Sequence, residues 1–369
     1  MPKAKTRRRA APAPALTPAL IKKLPKTDLH VHLDGCVRIP TMLDLAKERR
    51  VRLPSQNPVK LRNFMRADRG VKDLTEYIRK FDVTLSVMQD RPAITRIAYE
   101  LAEDAARENV RYMEVRYSPI LHVKRGMKLP EIVDAVIDGL RRAERDFGIR
   151  TGLIICGIRH ILPKWSLELA ELTVAYKNRG VVAFDLAGAE KDFPAKAHKA
   201  AFQKILKHNI NSTVHAGEAF GPASIAQAIH HCGAHRIGHG TMLKEDLDLL
   251  NYVNDHRIPL EICLSSNVQT HAVADMRHHP FKFYYDYGLR VTLNTDNRLM
   301  SNTTVTRELS LAVKTFHLGP ADLRNIIING FKCAFLPLHE KVEMLRQAII
   351  DMDEILAEGT DFIPGKEYL

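Results

Sequence analysis

The sequence predicts an α/β protein, a (β/α)₈ TIM barrel with additional helices. Three observations lead there. Eight short β-rich runs alternate with longer helical stretches along the 369 residues. Several of these runs, such as GLIICGI and VVAFDLAG, are almost continuously apolar, the mark of strands covered on both faces in a parallel sheet. No fixed-period repeat is present, and no G-x-G-x-x-G turn follows the first run. Alternating strands and helices form either a barrel or a doubly wound open sheet, and the missing glycine turn counts against the open sheet.

The elements are justified in order. Residues 1–20 carry Lys3, Lys5, Arg7, Arg8 and Arg9 without an acid, and Ala and Pro dominate from Ala10 to Ala19. Such a stretch cannot bury enough apolar surface to offset its ordering entropy, so it is expected to be a disordered basic tail. No apolar segment of secretory type follows the arginines. Residues 21–369 are expected to form one barrel domain, because such barrels often run past the usual domain length. The predicted strands are Thr27–Leu33, Val110–Ser118, Thr151–Ile158, Val181–Leu186, Ser212–His215, Arg236–His239, Leu260–Leu264 and Arg290–Asn294. Helical patterns separate them at Ile132–Phe147, Leu167–Arg179, Pro194–His208, Pro222–Cys232 and Glu245–Asp255. The long gap from Asp34 to Asn109 is expected to hold several helices on the face where barrel active sites form. The chain after Thr306 reads as terminal helices on the outside of the barrel.

Composition narrows the function. Hydrophobic residues make up 45% and charged residues 27%, ordinary for a globular protein with a large core. No stretch approaches the roughly 18 consecutive apolar residues of a membrane helix. The net charge of +12 raises the question of nucleic acid, but part of it sits in the tail and the remaining chain mixes both signs. A protein that binds nucleic acid through the tail is the non-enzyme alternative; the composition favours a solvated tail and no nucleic-acid partner. The five cysteines, Cys36, Cys156, Cys232, Cys263 and Cys333, are odd in number and form no C-x-x-C pair. That fits reduced thiols and a cytoplasmic location.

The chemistry gathers at the strand ends. In TDLHVHLDG, His30 and His32 alternate along a strand, so both imidazoles share one face. Two imidazoles on one face suit zinc, although H-x-H alone is weak evidence. Titratable residues recur at other strand ends: His215 after the fifth, His239 after the sixth and Asp296 after the eighth. The C-terminal ends of barrel strands converge on one site, so these side chains are expected to meet. Three imidazoles and a carboxylate suit zinc by ligand type. Glu218, just past His215 in TVHAGE, can face a metal without binding it and act as a general acid; the plain alternative is a charge at a helix N-terminus. Glycines flank His239 in RIGHG and leave room for close approach. Asp296 could instead cap the next helix.

HVHLDG, DLAGAE, TVHAGE, RIGHG, SSN and NTDN stand in the order and spacing of one family. The chain resembles the adenosine deaminase family of metal-dependent amidohydrolase barrels from about Leu24 onward. The resemblance implies one Zn²⁺ per subunit held by His30, His32, His215 and Asp296. It implies Glu218 as proton donor to purine N1 and His239 as the group that orients and activates the attacking water. Gly188 would face purine N3 through its backbone N–H, Asn297 would meet N7, and Asp34 and His32 would lie near the ribose. The implied reaction is hydrolytic deamination of adenosine and 2′-deoxyadenosine to inosine with release of ammonia, by a monomer or homo-oligomer acting on a small purine nucleoside. Adenine, or a 5′-modified adenosine such as aminodeoxyfutalosine, is the alternative substrate. A two-metal hydrolase is disfavoured because AFDLAGAE has no Lys at the strand end.

Two departures from the family pattern stand out. Asn297 replaces a second Asp after the metal-binding one, and its amide can donate to N7. Ala189 replaces the Asp of DLAGDE. Leu61, Phe64 and Met65 fit either the apolar helix that gates the family's pocket or ordinary core positions. Cys36 is expected to be a bystander. The adjacent pairs His230–His231 and His278–His279 are not expected to bind metal, because neighbouring residues on a helix do not face each other.

Overall fold

The computed structural model describes residues 15–67, 70–71 and 74–357. Eight parallel strands pair in sequence order: β1 (Lys26–His32), β2 (Val110–Tyr117), β3 (Arg150–Ile158), β4 (Val181–Ala187), β5 (Asn211–Ala216), β6 (Arg236–His239), β7 (Leu260–Ile262) and β8 (Val291–Leu293). The ring closes between β8 and β1. The Leu29 N–H donates to Asn294 Oδ1, and Val31 pairs with Asp296 in a parallel bridge. The His32 and Asp296 N–H groups donate across the seam at 2.8 Å each. Closure at Asp296 sets this residue beside the two histidines of β1.

The strands lie where the apolar runs place them, with ends displaced by a residue or two. β7 stops at Ile262 rather than Leu264, because a helix begins at Leu264. Among the described residues, five helices occupy the long gap after β1: Ile39–Arg49, Pro58–Met65, Leu74–Arg79, Phe81–Val87 and Arg91–Ala106. Helix Leu129–Phe147 starts three residues earlier than its pattern. Pro130 near its start presets the backbone, and Gly148 ends it in a left-handed turn. The predicted Pro194–His208 helix divides into a 3₁₀ turn, Ala195–His198, and an α-helix, Lys199–Lys207. After β8 come helices Val305–Phe316, Pro320–Cys333 and Leu338–Ala357; the middle one packs on β1 and β8 and completes the outer layer.

Residues 18–20, expected to belong to the tail, are helical instead. Thr17 caps helix Pro18–Lys23 by accepting the Leu20 N–H, and Ile21 is buried in the core. The helix packs on Val305–Phe316. Apolar burial of Ile21 and Leu24 holds this segment on the core. The basic cluster lies outside the described residues.

The barrel lumen is not filled by aliphatic side chains alone. Arg236 from β6 bonds Glu114 of β2 and Glu261 of β7. Arg116 of β2 bonds Glu261 at 2.8 Å and Asp185 of β4 at 3.2 Å. All five charges are fully or almost fully buried. Isolated charges there would cost several kcal/mol each, so they persist as a connected set. This ladder leads up the lumen to the strand ends, where the functional groups sit.

Among the described residues, no helix is long and apolar enough to cross a membrane.

Candidate active site

The strand ends bring His30, His32, His215, His239, Glu218 and Asp296 together. His30 and His32 project from β1, His215 from β5 and His239 from the end of β6. His239 and Asp296 both adopt a left-handed backbone, at φ 65° and 58°. Such conformations are sparse for residues other than glycine and persist where surrounding structure holds them. Here they turn the side chains over the lumen. Gly238 leaves room for a close approach: a Cβ there would stand 3.0 Å from the His30 ring.

Ligand geometry begins with the rear of each ring. His30 Nδ1 lies 2.8 Å from Glu261, and His215 Nδ1 lies 3.1 Å from Asp185. Each carboxylate accepts a hydrogen bond from Nδ1–H, which in the neutral ring leaves the Nε2 lone pair facing forward. The His30 Nε2 atom is buried and has no hydrogen-bond partner among the described residues. His32 and His215 direct their Nε2 atoms at each other across 3.1 Å. Asp296 Oδ1 stands 3.6 Å from His30 Nε2 and 3.5 Å from His32 Nε2. The other Asp296 oxygen accepts the Ser266 hydroxyl at 2.6 Å. Burial lowers the His30 pKa to about 4 and pushes His32 well down, so both are neutral at pH 7. Burial would raise Asp296, but the nearby His30 and His32 rings hold it far below the usual carboxylate range. Asp185 outweighs burial and raises the His215 pKa. Two neutral imidazoles, the His215 ring and an ionised carboxylate that converge on one place fit a divalent cation of zinc type. Cys36 is not in this group; its sulfur accepts the Arg298 N–H.

Glu218 lies beside these groups. Its Oε1 accepts the Thr270 hydroxyl at 2.9 Å, and its Oε2 is 3.5 Å from His239 Nε2. Burial raises its pKa and the nearby His239 opposes this; the balance is a raised value. Glu190, at the end of DLAGAE, holds the Glu218 loop. Its carboxylate accepts four consecutive backbone N–H groups, from Gly217 at 2.6 Å, Glu218 at 2.9 Å, Ala219 at 2.6 Å and Phe220 at 3.1 Å.

A cavity of about 190 Å³ opens beside this cluster. Asp34, Gly188 and Asn297 line it, together with His32, His215, Glu218, His239 and Asp296. Asp34 Oδ1 and Asn297 Oδ1 are buried without a protein partner. The apolar wall comes from Tyr77, Ile78, Phe81 and Leu85. Of the two readings of Leu61, Phe64 and Met65, core packing holds for Leu61 and Met65, which are fully buried. Phe64 is exposed, and none of the three is among the described residues lining the cavity. His230 packs on Tyr252.

Sequence reasoning missed the residues behind the site. Asp185, Glu261 and Arg116 are charges inside apolar strand runs, and that incongruity is a signal. Glu190 and Asn267 lie within DLAGAE and SSN, but no pattern specifies whose N–H groups or ring they meet. His160 also lines the cavity without any sequence signal.

The fold and the converging imidazoles and carboxylate define a (β/α)₈ hydrolase with a metal-binding site. A family profile described as adenosine deaminase matches residues 25–352. The chain is 41% identical over 346 residues to an adenosine deaminase of Mycobacterium ulcerans, covering 89% of this chain and 95% of that one. It is 42% identical over 333 residues to a probable adenosine deaminase of Dictyostelium discoideum, covering 90% of this chain but spanning only 43% of that longer relative. An adenine deaminase of Arthrobacter aurescens superposes with a TM-score of 0.83 at 25% identity, covering 88% of this chain and 98% of that one. The chain belongs to the adenosine deaminase family, metalloenzymes that hydrolyse C–N bonds of cyclic amidines.

Proposed function

We propose that the protein hydrolyses adenosine and 2′-deoxyadenosine to inosine and 2′-deoxyinosine, releasing ammonia, with one zinc ion per subunit at His30, His32, His215 and Asp296. One observation carries the choice of a nucleoside. The cavity beside Glu218 has no Lys or Arg among its described lining residues, while Asp34 and Asp82 contribute carboxylates. A 5′-phosphate or another anionic 5′ group would find no counter-charge there. A neutral nucleoside would find the unpartnered Asp34 Oδ1 as an acceptor for a hydroxyl.

A bound cation supplies Lewis acidity, which makes water nucleophilic near neutral pH. The chain's own groups do the rest. Glu218, whose pKa burial raises, donates its proton to N1 as C6 is attacked. Asn297 donates its amide N–H to N7, the Gly188 N–H meets N3, and Asp34 with His32 receives the ribose. Tyr77, Phe81 and Leu85 keep bulk water from the ring. Because the acid must be protonated, turnover falls as pH rises through the Glu218 pKa. A cytoplasmic location agrees with five free, buried cysteines.

The test is ammonia release by the zinc-loaded protein from adenosine, 2′-deoxyadenosine, adenosine monophosphate, adenine and 5′-extended adenosines. Fast release from the two nucleosides and slow release from the rest is expected. Release confined to adenine, to the monophosphate or to a 5′-extended nucleoside would overturn the substrate assignment.

A further inference from the structure

A one-way chain of hydrogen bonds runs behind His239. It begins at a backbone amide, which can only donate. The Phe281 N–H donates to His279 Nδ1 at 3.0 Å. His279 is buried, and burial lowers its pKa to about 3, so the ring is neutral and carries a single proton. With Nδ1 accepting, that proton is on Nε2. Nε2 lies 3.1 Å from Asn267 Oδ1 and donates to it. This sets the orientation of the fully buried Asn267 carboxamide, whose NH₂ then faces His239 Nδ1 at 3.0 Å. His239 Nδ1 must accept, so the proton of a neutral His239 ring sits on Nε2, directed at Glu218 and the cavity.

We propose that Asn267 and His279 are positioning residues that lock His239 in the Nε2–H tautomer. The inference rests on the deaminase reading for its catalytic consequence, not for its geometry. In this tautomer His239 presents a hydrogen-bond donor to an oxygen developing negative charge in the cavity. The opposite carboxamide orientation would set two donors, the His279 N–H and the Asn267 NH₂, against each other in a buried place. That arrangement leaves polar groups unsatisfied and is disfavoured. Distance along the chain conceals the relay: Asn267 is on helix Leu264–Gln269 and His279 lies twelve residues further on.

The test reads the tautomer directly. Long-range ¹H–¹⁵N correlation on the zinc-loaded full chain, labelled at histidine, reports which ring nitrogen of His239 carries the proton; H239Q identifies the signal. The wild-type ring is expected to be protonated at Nε2. Asn267→Asp replaces the donor with a carboxylate acceptor of the same shape and moves the proton to Nδ1. Loss of kcat on the order of 10²-fold or more is expected, as for a wrong tautomer elsewhere, with zinc content and KM little changed. His279→Leu frees the carboxamide and lowers kcat roughly tenfold, whereas His279→Gln, which can still donate to Oδ1, restores most of it. A wild-type ring protonated at Nδ1 would overturn the proposal. So would N267D with wild-type kcat, or H279Q no better than H279L. The tautomer signal needs no substrate, so it stands even if the nucleoside assignment fails.

Discussion

Replacement of Glu190 by Gln changes one atom and tests how the acid Glu218 is placed. Three of the four N–H groups on Glu190 reach Oε2, and the fourth, from Gly217, reaches Oε1. An amide offers a single oxygen. Turned toward the three donors, it leaves its NH₂ against the Gly217 N–H, where 2.6 Å previously separated donor from acceptor. One charge-assisted bond is lost outright, at roughly 1.5–3 kcal/mol, and the other three weaken toward neutral strength by about 1 kcal/mol each. Relaxation of the loop recovers part of this, so a net loss of about 3 kcal/mol in stability is expected. Relaxation also moves Glu218, and a displacement near 1 Å costs about 10²-fold in rate. The proposed metal ligands make other hydrogen bonds, so zinc binding should be kept. The assay is kcat from the loss of 6-aminopurine absorbance, with zinc content by elemental analysis and stability by chemical denaturation. Wild-type kcat in E190Q would refute this account of the loop. Parallel loss of zinc would show that Glu190 supports the metal centre rather than the acid.

Other perturbations separate the remaining parts. Glu218→Gln should keep zinc and lower kcat by about 10²–10⁴-fold, whereas His215→Ala should lose the ion; the reverse pattern would exchange the assigned roles. Gly35→Ala sets a Cβ 1.7 Å from Asn297 Oδ1, so Asn297 must move. KM should rise about tenfold, the value of one hydrogen bond, with metal retained, and an unchanged KM would remove Asn297 from the substrate contacts. His122 is fully buried, and burial lowers its pKa to about 4 from an ordinary 6.5. Between these values the unfolded chain binds more protons, so stability falls as pH falls through this window. This residue alone should cost about 2 kcal/mol between pH 7 and pH 5, and His122→Gln should remove that share of the acid sensitivity measured by denaturation at the two pH values.

The sequence by itself determined the layout of the barrel and the inventory of reactive groups. Both follow from local chemistry. Continuous apolar runs fit only strands buried on both faces, and period-two spacing in HVH places two imidazoles on one face whatever surrounds them. Ring closure then brings strand ends together, which is why His30, His32, His215, His239 and Asp296 could be grouped without coordinates. Tertiary structure alone decided their orientation and their electrostatics. Asp185 and Glu261 set which nitrogen of His215 and His30 faces forward, and they lie on other strands, 30 and 231 residues away. Only the structure chose between the two readings of Leu61, Phe64 and Met65 and set the apolar wall at the segment from Tyr77 to Leu85, because helical spacing records which face is apolar but not what covers it. Residues 18–20, expected in the tail, are helical instead, because Ile21 and Leu24 find a core that composition cannot anticipate. Glu190, Asn267 and His279 act through hydrogen bonds whose partners depend on the closed ring. Periodicity and composition report what each residue is and which way it points along its own element; which atom it meets is decided only when distant elements pack.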